Sequence, residues 1–324
     1  MKNQTINETN EALMASFIFD SIAYIIGYYM ITAISAIGLV INTFTLKVLS
    51  SPKLKHSIYN YFWCRSFCDL LVCAIGVTYL YNSCVNCEEL NKLTYSFQFY
   101  RYYFLFLPMR ILFLASSLAE IYLLLNRCLI LYNIENILSH VTKLTLLSIF
   151  FSSSFIVLLP PYFSLEIKET DTNLYSLDLN EFGRTNFYKI YVISAFVLES
   201  FIPLLFACSL SFIALNGFRK LSKKKSQLLN KSDSIKQKKN LHFTRIILII
   251  TLIFVFTRVF DLVSFTIMKI YYIYNLQPLR LVSSLINFFL QLNYFCMFLS
   301  HSMNGILFGI YDRNLFKIAK SYFK

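Results

Sequence analysis

The residues of this chain that could do chemistry are ionisable groups set inside long apolar runs. Arg65 and Asp69 stand four positions apart in one run. Arg110, Glu120 and Arg127 share another, Arg110–Tyr132, which is otherwise almost wholly apolar. Glu199 lies alone in a third, and Arg258 and Asp261 stand three apart in a fourth. A charge inside a lipid-length helix is costly, and it needs an opposite partner or a water-filled cavity. Such groups suit ion pairing, cation binding or recognition of a polar ligand. They do not suggest catalysis. The chain has no His-Glu-x-x-His pair and no Gly-rich phosphate loop, and its four His (56, 140, 242, 301) are scattered.

Composition narrows what can hold these groups. Of 324 residues, 57% are hydrophobic and 15% charged, against roughly 45–50% and 25% in soluble domains. Phe and Tyr are abundant at 33 and 23, while Gly and Pro number only 7 and 6, which suits long helices rather than a loop-rich fold. The net charge of +13 could suggest nucleic acid. The basic residues, however, sit in the gaps between apolar runs, where an anionic membrane face accounts for them better. The partners expected are therefore membrane lipids, and not nucleic acid.

A membrane span needs about 20 apolar residues. Seven runs qualify. They lie between Asp20 and Lys47, from about Ser57 to Tyr81, and from about Ser96 to Leu131, with a kink expected at Pro108. The rest are Leu144–Leu165, about Ile190–Phe218 with Pro203 inside, about Leu241–Tyr274, and the uncharged interval between Arg280 and Asp312. The fold class expected is an all-α membrane protein, a single unit over residues 1–324. The polar segment 1–20 is placed outside. The segment 219–240 forms a basic inner loop, and 312–324 a short amphipathic helix lying on the bilayer.

Orientation follows from Lys and Arg. The gap around 219–240 together with its flanks carries ten of them against one acid, and the tail carries four. The intervals assigned outside hold most of the acids, including Glu166, Glu169, Asp171, Asp178 and Glu181. Two glycosylation sequons at Asn3 and Asn7 agree with an outer amino end. Of eight Cys, Cys84 and Cys87 alone sit in a polar outer gap. They are read either as a small disulfide or as two free thiols, and no second ligand pair makes a zinc site.

This arrangement resembles the rhodopsin-like (class A) G-protein-coupled receptors, with divergent motifs. Asn42 in Gly38–Asn42 matches the Asn kept in that family's first span, and Asp69 matches the acid of its second. Asn126-Arg127-Cys128 is similar to the Asp-Arg-Tyr motif with only the Arg kept. Asn304-Gly305-Ile306-Leu307-Phe308 is similar to Asn-Pro-x-x-Tyr, with Gly and Phe replacing Pro and Tyr. Phe254 fits the sixth span, but the usual Cys-Trp-x-Pro stretch reads Thr257-Arg258-Val259-Phe260. The span-four Trp and the disulfide between span three and the second outer loop are missing. The pattern is that of a divergent invertebrate peptide-receptor-like or chemosensory branch.

The resemblance implies roles. Arg127, Asn304, Phe308 and Phe254 would serve activation and contact with a heterotrimeric G protein; a snorkelling Arg at a helix end is the bland alternative for Arg127. Asn126, where the family has an acid, implies a raised basal activity or a different lock. Asp69, with Asn42, Ser116, Ser300 and Asn304, would hold a sodium ion or be a hydrogen-bonded structural acid. Met109, Arg110, Phe113, Glu199, Arg258 and Asp261 would line an outer ligand cavity or form a self-neutralised network. Met109 stands where aminergic receptors carry an Asp, which argues against a monoamine.

Arg65 and Glu120 are positions that are aliphatic in the family. Glu120 lies about 10 Å along its helix from Arg127, and Arg65 about 12 Å in from Ser57. The two are thus at similar depth on spans that neighbour each other in the family's fold, and an ion pair is expected, with Asp69 close by. The function expected is a receptor for an extracellular peptide or small chemical at the plasma membrane, with no enzymatic activity. A seven-span ligand-gated channel or transporter is the alternative.

Overall fold

A computed structural model describes residues 2–54, 58–83, 94–132, 134, 142–169, 175–225, 244–260, 262–263, 266–267, 280–311, 318 and 320–321. The described residues are almost entirely helical. Helix α1 runs from Lys2–Ile25 through a π turn, Ile26–Met30, into Ile31–Leu49. Helix α2 is Ile58–Ser83. Helix α3 runs from Tyr95–Phe99 through the π turn Tyr100–Phe106 into Leu107–Leu131. Helix α4 is Lys143–Tyr162. Helix α5 runs from Asn186–Phe196 through the π turn Val197–Phe201 into Ile202–Lys225. Residues 244–260 form α6, and Arg280–Tyr311 form α7.

Six of these stretches are long and apolar enough to cross a membrane: Leu13–Leu49, Tyr59–Thr78, Tyr95–Leu131, Lys143–Tyr162, Asn186–Lys220 and Arg280–Leu307. Their outward faces carry large apolar side chains such as Phe17, Val40, Leu144, Ile156 and Phe212. An all-helical membrane protein accounts for both features, since lipid rather than water covers such a surface.

Two π turns have a local cause. In a regular helix the N–H of Pro108 would bond the carbonyl of Phe104, and that of Pro203 the carbonyl of Glu199. Proline has no N–H, so each carbonyl loses its partner and the helix widens by one residue there. Pro108 thus acts one turn before itself, as a widened turn.

Helix α3 is the centre of the bundle. It packs against α2, α4 and α5, while α7 packs against α1 and α2. The largest core cluster joins Tyr61, Phe62 and Cys68 of α2 to Ala119, Leu123 and Leu124 of α3 and to Ile246, Ile250 and Phe254 of α6. Ile318, one of the few described tail residues, packs against its edge. Helices α1, α2 and α7 approach closely at glycines. A Cβ on Gly38 would strike Cys73 and Ser302, and one on Gly305 would meet Thr45 Oγ1 at 2.6 Å and Ile41 Cγ2 at 2.7 Å.

The acidic interval between α4 and α5 contains a β-hairpin. Strands β1 (Leu165–Glu169) and β2 (Tyr175–Leu179) pair antiparallel, with Leu165 opposite Leu179 and Glu166 opposite Asp178. That second pair sets like charges face to face, which is unfavourable alone. Lys168 Nζ lies 2.8 Å from Glu166 and 3.6 Å from Asp178, and Arg184 lies 2.7 Å from Asp178. The two cations offset the repulsion.

Candidate functional site

Helix α3 carries the ionisable groups in order along its axis. Arg110 lies toward the end where the hairpin sits, Glu120 lies mid-helix, and Arg127 lies near Leu131. At 1.5 Å per residue, Arg110 and Arg127 are separated by about 25 Å.

The middle level is a buried polar network. Arg65 of α2 donates through Nη1 to Glu120 Oε2, with the two side chains 1% and 0% exposed. The other oxygen of Glu120 accepts from Thr251 Oγ1 of α6 at 2.5 Å. Arg65 Nε is 3.8 Å from Asp69 Oδ2, one helical turn away. Asp69 in turn gathers α3 and α7. Its Oδ1 accepts from His301 Nδ1 at 2.6 Å and from Ser116 Oγ at 3.2 Å, and its Oδ2 accepts from Asn304 Nδ2 at 2.8 Å. Asn42 of α1 donates to the His301 carbonyl at 3.1 Å. Four helices therefore meet through two carboxylates, and α1 joins them through the His301 backbone.

His301 and Thr251 belong to this network and were not singled out in the sequence. His301 lies one turn before Asn304 in an otherwise uncharged run, and that spacing was the available signal. A sodium ion is one of the two alternatives for Asp69. A hard cation takes oxygen ligands. Here both carboxylate oxygens are held by nitrogen donors, with a guanidinium beside them. Ser300 is buried without entering the set. Among the described residues no group of three or more His, Cys, Asp or Glu could hold a metal.

The level nearest the hairpin is an ion pair at a small cavity. Arg110 Nη2 lies 2.7 and 2.6 Å from the two Glu199 oxygens, and its Nε lies 3.2 Å from one of them. Glu199, whose backbone carbonyl loses its partner at Pro203, sits in the widened turn of α5, and its side chain meets α3. Arg258 of α6 crosses to α3, donating to the Phe113 carbonyl at 3.0 Å and to Ser117 Oγ, with its guanidinium 5.3 Å from the Phe254 ring centre. Met109, Arg110, Phe113, Glu199 and Arg258 line the cavity, as do Phe196, Ser200, Tyr294 and Met297, which the sequence did not mark out. Its volume is about 30 Å³, room for a water or two. A site for a drug-sized ligand occupies roughly 300–1,000 Å³. In this arrangement the cavity is small and partly open, and the Arg110–Glu199 pair forms part of its wall.

At the opposite end Arg127 is 1% exposed, so its guanidinium does not snorkel to a free surface. Cys128, the next residue, donates to the Leu210 carbonyl and ties α3 to α5. Phe254 is buried in the largest core cluster, and Phe308 lies on the last turns of α7. Asn3 and Asn7 fall within α1. Asp261, Cys84, Cys87 and nearly all of 312–324 lie outside the described residues. Compared with known proteins, the chain matches no family model and no curated sequence.

Proposed function

We propose that the chain is a ligand-activated receptor of the rhodopsin-like type, crossing the plasma membrane seven times with its amino end outside. The seventh crossing is α6 with the residues that follow it. A peptide or small polar chemical enters at the outer cavity and separates Arg110 from Glu199. The inner face, with Arg127, Asn304 and Phe308, engages a heterotrimeric G protein. The ligand acts by binding one of two bundle arrangements better than the other.

The observation that carries this reading is the order of groups on α3: cavity-lining Met109, Arg110 and Phe113, then the Ser116 and Glu120 network, then buried Arg127. One helix thus connects a site for a ligand to a site for a transducer through contacts on α2, α6 and α7.

The test is expression with a promiscuous G protein and a screen of peptide and small-molecule libraries. The expected result is a second-messenger signal that Arg127→Ala abolishes while surface expression persists. A ligand-evoked current that needs no G protein, or an amino end found in the cytosol, would assign the chain to a channel or transporter instead.

A further inference from the structure

Away from the axial sites, α5 and α6 leave a groove between them on the outside of the bundle, with a volume of about 490 Å³. Its walls are Leu215 and Phe218 of α5 and Leu248, Ile249 and Leu252 of α6, and Arg245 stands at one end. Leu252 is 70% exposed, and Arg245 is exposed too. Arg245 is the first of the four α6 positions that line the groove, so it marks the end nearest residues 226–243, about 10 Å from Leu252 along the helix. The same end of α5 carries Arg219 and Lys220, both exposed, followed by Lys223, Lys224 and Lys225. Neither Ile202–Lys225 nor residues 244–260 contain an acidic side chain.

We propose that this groove binds one anionic phospholipid of the inner leaflet, its phosphate on Arg245 and an acyl chain along Leu215, Leu248, Ile249 and Leu252. An outward-facing Arg beside an apolar trough is tolerated in a membrane where it meets headgroup oxygens. The guanidinium fork matches a phosphate in two places at once. The apolar walls supply what a soluble anion could not use. Arg245, with no acid on Ile202–Lys225 or residues 244–260 to neutralise it, repels a choline cation and so favours an acidic headgroup over a zwitterionic one. The proposal rests on the topology given above, in which this end faces the cytoplasm. Lipid retention is read without signalling, so the two readings can fail separately.

The experiment is native mass spectrometry of the full chain in detergent, titrated with dioleoyl phosphatidylserine or dioleoyl phosphatidylcholine. The expected result is one retained lipid per monomer, with the serine lipid preferred about fivefold, as one basic side chain near the headgroup supplies. Arg245→Gln erases the preference, and Arg245→Lys keeps most of it. Lys168→Gln, on the outer hairpin, changes nothing. Glycerophosphoserine, the headgroup without chains, does not displace the lipid. A preference that survives Arg245→Gln would assign retention to the basic loop as a whole and overturn the site. Displacement by glycerophosphoserine would overturn the acyl half. A dimer with no retained lipid would give the groove to a second copy of the chain.

Discussion

At the scale of single residues, the Arg65–Glu120 pair has the largest energetic consequence. Removing one partner leaves the other charged and dry, which costs about 3–5 kcal/mol, whereas replacing both with apolar groups is often close to neutral. Arg65→Met and Glu120→Leu should each lower the melting temperature and surface expression sharply, and the double variant should regain most of both. Additive losses in that cycle would show that the two side chains are not coupled. The pair was legible from helical rise and the cost of a lone charge, once the resemblance implied that spans two and three are neighbours. His301 was not. An imidazole in an uncharged run looks like packing until the fold brings Asp69 to 2.6 Å from its Nδ1. Both oxygens of that carboxylate accept from nitrogen donors, one on the ring and one on Asn304. No pattern along one helix reports what a different helix presents to it.

At the scale of elements, close approach and local pairing decide. Gly305 stands where the resembling family keeps a proline, and here the absent side chain lets α7 touch α1. Gly305→Ala puts a methyl against Thr45 and Ile41. It should cost about 1–3 kcal/mol, as overpacking does, read as a lower melting temperature in detergent. The hairpin supplies a pH-dependent prediction. The Leu179 N–H, with Arg184 and Lys168, holds the Asp178 carboxyl below its ordinary range. A carboxylate depressed in this way stabilises above its unfolded pKa and loses that contribution as pH falls through the lower, folded one. Protection of the amides over 165–169 and 175–179, corrected for the intrinsic pH dependence of exchange, should therefore fall in acid, and Asp178→Asn should remove most of that step. The strands were readable in principle. Leu165 and Ile167 alternate with Glu166 and Lys168, and Leu177 and Leu179 with Ser176 and Asp178. The charge content of the interval drew the reading to topology and away from period two.

At the scale of the whole molecule, the long helices follow from runs of apolar sequence, and their limits differ from the expected ones by a few residues at most ends. The exception is α1, which continues as helix from Lys2 through the polar segment 1–20. Orientation is tested by the sequons. If the amino end is outside, Asn3 or Asn7 should carry glycan, and an amidase that removes it should shift the mobility of the wild type but not of the Asn3→Gln/Asn7→Gln variant. An unshifted wild type, together with an amino-terminal epitope reached only after permeabilisation, would reverse the topology. How the helices are ordered around α3 was not legible at all, since periodicity gives each helix a face without saying what lies across from it.

Glu120 divides its two oxygens between neighbours on opposite sides, Arg65 and Thr251. If α6 is drawn away, Thr251 leaves with it and Oε1 is stranded in dry surroundings, a penalty of roughly 1–3 kcal/mol. That penalty acts as a spring. The resting geometry would re-form unaided once the pull stops, so any agent that opens the bundle must also keep it open for as long as a response is to last.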